Sequence, residues 1–72
     1  MNIKNLKELV LICLDGQVPV TLIRPNENNE FMKEYGDVVD FILDEKIDHL
    51  EIDDKIYHPV QISNRQVVIW LK

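Results

Sequence analysis

Between Leu50 and Leu71 the chain alternates β-favouring runs with short turn-forming clusters. Leu50-Glu51-Ile52 is followed by Asp53-Asp54-Lys55, then Ile56 to Ile62, then Ser63-Asn64-Arg65, then Gln66 to Leu71. Such runs, punctuated in this way, predict an antiparallel meander. A pleated layer buries its apolar face only against a second layer. The rest of the chain therefore has to supply one.

The segment that offers it is 30–45. Phe31, Tyr35, Val38, Val39 and Ile42 fall at helical spacing, flanked by Met32 and Leu43, with Lys33, Glu34, Asp37, Asp40 and Asp44 opposite. This pattern predicts an amphipathic helix of about four turns. Gly36 sits on its polar side, where glycine costs about 1 kcal/mol relative to alanine. The alternative is that Gly36 ends a first short helix and Asp37 caps a second. Lys46 suits a helix C-terminus.

Ahead of that segment, Asn2 offers a cap for a short helical turn carrying Ile3 and Leu6. Leu9 to Leu14 reads as a strand. A helix is the competitor there, because Leu6, Leu9, Val10 and Cys13 share a helical face. The strand is preferred because Asp15-Gly16 and the strand-like Val18 to Ile23 follow directly, a hairpin pattern. A three-residue loop from Asp15 to Gln17 keeps Pro19 out of a hydrogen-bonded position, and Pro19 then marks an edge strand. Pro25 stops that strand, and Arg24 to Asn29 form a connector whose asparagines supply turn and cap residues.

In the meander, Ile47 to Ile52 reads as one strand and Ile56 to Ile62 as the next, with Pro59 implying an edge or a bulge. Val67 to Leu71 is apolar on both faces, which predicts a central strand or one that meets a partner. The expected architecture is a single α+β domain of order ββαβββ. One helix packs on a mostly antiparallel sheet of four to five strands.

Seventy-two residues bury only a little over ~60% of the surface that the unfolded chain exposes. Small domains compensate with disulfides, metals or partner subunits. Cys13 is the single cysteine, so neither an intrachain disulfide nor a cysteine-rich zinc site can form. With 46% apolar residues, self-association is the expected remedy, and a homodimer its simplest form. Alanine is absent while isoleucine is abundant, a bias toward sheet that AT-rich codon usage would also produce.

The formal net charge is -5. It argues against direct nucleic-acid binding, which needs clustered Lys and Arg, and against an anionic membrane surface. It suits a basic protein partner. The longest apolar run, Leu9 to Leu14, is far short of the ~20 residues of a membrane span. Asp15-Gly16-Gln17 interrupts any signal-peptide pattern, so the expected location is the cytoplasm.

The candidates for chemistry are few. His49 and His58 would face one another across an Asp53-Asp54 turn, but no recognised metal-ligand spacing accompanies them. Cys13 has no basic neighbour to lower its pKa. Ser63 is explained by a turn. No glycine-rich loop exists to cradle a phosphate. No enzyme and no cofactor are expected.

Two features point to protein partners instead. Trp70, Val68, Tyr57 and Leu11 fall on faces that one helix would not reach, and aromatic residues on exposed patches are favoured interface anchors. Asp37, Asp40 and Asp44 fall at three- and four-residue spacing and would form one ridge on the helix. The expected function is a small acidic interaction module, a regulator, adaptor or inhibitor that self-associates. The alternative is a phage or mobile-element inhibitor of a nucleic-acid-handling enzyme, whose acidic ridge imitates a phosphate backbone.

Overall fold

The computed structural model describes residues 1–13, 17–25 and 30–72, and for 11–13, 25 and 30–32 the backbone alone. Its elements are α1 (Ile3–Cys13), β1 (Val20–Pro25), β2 (Glu30–Tyr35), α2 (Val38–Leu43), a 3-10 turn (Glu45–Ile47), β3 (Val60–Ile62) and β4 (Val67–Trp70). The strands form one open sheet of order β2-β1-β4-β3. β1 and β4 run parallel at its centre, and β2 and β3 flank them antiparallel. The fold is α+β, as expected. The sheet is mixed rather than a meander, and the element order differs.

The first difference is α1, which replaces the strand expected at 9–14. Asn2 Oδ1 accepts from the Asn5 N–H at 2.9 Å, which caps the helix. Ile3, Leu6, Lys7 and Val10 then form its buried stripe, at spacings of three and four residues. Lys, Leu and Glu in this stretch are good helix formers. The hairpin loop expected at Asp15-Gly16 lies outside the described residues, apart from Gln17. Of the connector expected from Arg24 to Asn29, Arg24 and Pro25 belong to β1, paired with Phe31 and Glu30, while 26–29 lie outside the described residues.

The second difference is β2, a strand where the first two turns of a long helix were expected. Phe31, Lys33 and Tyr35 alternate with Glu30, Met32 and Glu34, and this period of two matches β1 residue for residue from Val20↔Tyr35 to Pro25↔Glu30. Helical and strand periodicities coexist in these six residues, and the paired neighbour decides. The break comes at Gly36. Asp37 is the N-cap of α2, its Oδ1 accepting from the Asp40 N–H at 2.8 Å.

The expected strand at 47–52 contracts to two isolated bridges, Asn2↔Glu51 and Ile52↔Leu71. The Asp53-Asp54-Lys55 turn forms, with Asp53 Oδ1 accepting from the Lys55 N–H at 3.0 Å. The residues after it bend instead of pairing, and His58 adopts φ 60°. Strand structure resumes only at Val60. Pro19 does not mark an edge. It lies just ahead of β1, a central strand, where no N–H is required of it, and its carbonyl accepts from Val67 N–H at 2.9 Å. Pro59 does precede an edge strand, β3.

The core lies on one side of the sheet. Val20 and Leu22 of β1 and Val67 and Ile69 of β4 are wholly buried against Ile3, Leu6 and Val10 of α1 and Val38 and Phe41 of α2. Ile47, Ile52 and Leu71 close the end. Every buried apolar residue of the two helices belongs to this one cluster, so among the described residues both helices cover the same face.

Candidate interaction surface

The opposite face is set by the alternation of side chains along β1 and β4. Thr21 and Ile23 on β1 lie beside Val68 and Trp70 on β4, in the register Thr21↔Val68 and Ile23↔Trp70. All four are half-buried. Glu34 on β2 and Gln61 on β3 flank them at the two edges, and both are exposed. A shallow depression of about 470 Å³ lies beside Thr21, lined by Pro19, Glu34, Tyr35, Gly36 and Gln66. A second, of about 370 Å³, is lined by Gln61, Ile62, Ser63, Gln66 and Val68. Ile62, opposite Val67 and so on the side of the core, stands half exposed on the edge strand.

Val68 and Trp70 therefore share one apolar strip, as their alternation with Val67 and Ile69 implies. Tyr57 is 87% exposed in the loop before β3, its ring 4.1 Å from that of His58. Leu11 lies in α1 rather than in a strand, and its side chain is outside the described residues. Sequence reasoning missed Thr21 and Ile23 because β1 was not expected beside the last strand. Its strand-like alternation was the available signal.

The three acidic residues do not form a ridge, because α2 begins after Asp37 and ends before Asp44. Asp37 spends its carboxylate on the cap. Asp40 is exposed in the first turn, where a negative charge favours the helix dipole. Asp44 is a junction. Its Oδ2 accepts from the Tyr35 hydroxyl at 2.6 Å and from Lys33 Nζ at 2.9 Å. Its Oδ1 accepts from the Lys46 N–H at 3.1 Å, capping the 3-10 turn. Its carbonyl accepts from Lys7 Nζ at 2.7 Å.

These contacts explain the local electrostatics. The Tyr35 hydroxyl, and after it the Lys33 amine, hold the Asp44 carboxyl well below the usual carboxylate range. The Asp44 contact in turn raises Lys33. Burial, reinforced by donation to Asp44, pushes the Tyr35 phenol up. Lys7 is the buried cation of α1; its Nζ also pairs with Asp48 Oδ1 and lies 5.7 Å from the centre of the Phe41 ring. Lys7 falls within the Ile3–Leu6–Val10 stripe, so a helical reading of 3–13 would have placed it inward.

The acidic run 44–52 thus holds its own N-terminal segment. Ile3 N–H donates to the Leu50 carbonyl at 2.9 Å, and Ile52 N–H to the Met1 carbonyl at 3.0 Å. The Met1 ammonium stands 3.7 Å from Glu51. His49 and His58 are exposed and lie on no common pair of strands. Among the described residues, no group of three or more His, Cys, Asp and Glu is placed to hold a metal ion. No helix among them is long and apolar enough to cross a membrane.

No family model, curated protein or solved structure matches this chain.

Proposed function

We propose that the chain is a small non-enzymatic protein-interaction module, a regulator, adaptor or inhibitor, that self-associates through the sheet face opposite its two helices. The observation that carries this reading is the partial exposure of Ile23, Val68 and Trp70 on the two central strands. A parallel pair at the centre of a sheet is ordinarily covered on both sides. Here both helices lie on one side.

The size of the strip bears on how a partner would seat. A standard interface takes roughly 800 Å² from each side. The whole chain exposes 5167 Å², and the central strip alone offers too little. A partner would therefore also cover the edge strand β3, where the exposed Gln61 lies beside Val68. Electrostatics separates a second copy from a basic partner. Two chains of charge -5 repel, so salt strengthens self-association and weakens capture of a basic protein.

Sedimentation at micromolar concentration, in low and high salt, tests this. The expected result is twice the 8.5 kDa chain mass, more complete in high salt, and reversion to one chain mass in Val68→Lys. A folded wild-type monomer in both salts would count against self-association. The phosphate-mimic alternative draws little support from the arrangement of the acids. Asp37 and Asp44 are engaged within the chain, which leaves Asp40 of that trio facing solvent.

A further inference from the structure

We draw no further inference here: the strongest candidate, the exposed Tyr57–His58 ring pair with its positive-φ backbone in the loop ahead of β3, carries nothing because no feature of the structure shows what would seat against it.

Discussion

Val20, Leu22, Val67 and Ile69 are wholly shielded from water, whereas their chain neighbours Thr21, Ile23, Val68 and Trp70 are shielded only in part. The same two strands supply both sets, and the pleat alone separates them. One face has a complete second layer: two helices, the 3-10 turn and the strapped-down N-terminus. The other has similar side chains and no such layer among the described residues. What differs between the faces is their cover rather than their composition, so substitutions on the two should fail in different ways.

The largest effect belongs to the covered face. Phe41 is fully buried between the helices and the sheet, and Phe41→Ala should cost about 3 to 5 kcal/mol. In a chain this small, urea melts would then find little folded protein left. If Trp70→Ala cost as much at concentrations where the chain is monomeric, the contrast between the faces would be lost.

The second test concerns how α1 is fastened over that face. Asp48→Ala strands the Lys7 ammonium beside Phe41 and should cost about 2 to 3 kcal/mol, less than a fully enclosed pair because Asp48 is partly exposed and the Asp44 carbonyl remains. Lys7→Met in the same background should recover most of the loss, since an apolar chain of similar length needs no partner. Equal instability of the single and double variants, read by thermal melts, would show that the stranded charge is not the cause.

Asp44 adds a pH dependence. Its folded pKa lies below the ordinary value of 3.8, chiefly through the Tyr35 hydroxyl and then Lys33. Its contribution is therefore complete above the unfolded value and lost as pH falls through the acid range below it. Asp44→Asn should be less stable than wild type at neutral pH, with the gap closing on acidification. A gap that stays constant from neutral pH down to pH ~2 would contradict the junction described here.

On the open face, Val68→Lys should abolish association yet change the stability of the monomer by no more than about 1 kcal/mol. A variant that unfolds would reveal Val68 as ordinary core. Smallest of all, Gly36→Ala should stabilise by about 0.5 kcal/mol through the unfolded state, because a Cβ there meets nothing within 4 Å. A loss of stability would mean that the β2–α2 junction is tighter than it looks.

Local chemistry was legible in the sequence at several turns and caps, though not at Asp44, which caps the 3-10 turn. Asn2 caps a helix, and Pro25 ends β1. Asp37 starts α2, as only the alternative to one long helix had it, and Asp53 and Ser63 close turns. The central place of β4 followed from its two apolar faces. What stayed hidden was set by contacts distant in sequence. Phe31 to Tyr35 fits both a helix and a strand, and only β1 beside it settles which. Leu9 to Cys13 is apolar enough for a strand, but Ile3, Leu6 and Val10 find their core as a helix. The acidic series looked like a docking ridge because its partners, Lys7, Lys33 and Tyr35, lie on elements whose placement depends on the fold. The pairing of Val68 with Thr21 required the parallel crossover, which no local pattern announces.

Trp70 is the chain's single tryptophan, and it sits on the face in question, so its fluorescence against protein concentration, at low and high salt, is the most direct measurement. The account predicts emission moving to shorter wavelength as concentration rises, sooner in high salt, and staying fixed in Val68→Lys. An emission maximum that does not move, in a chain that remains folded and monomeric throughout, would contradict it.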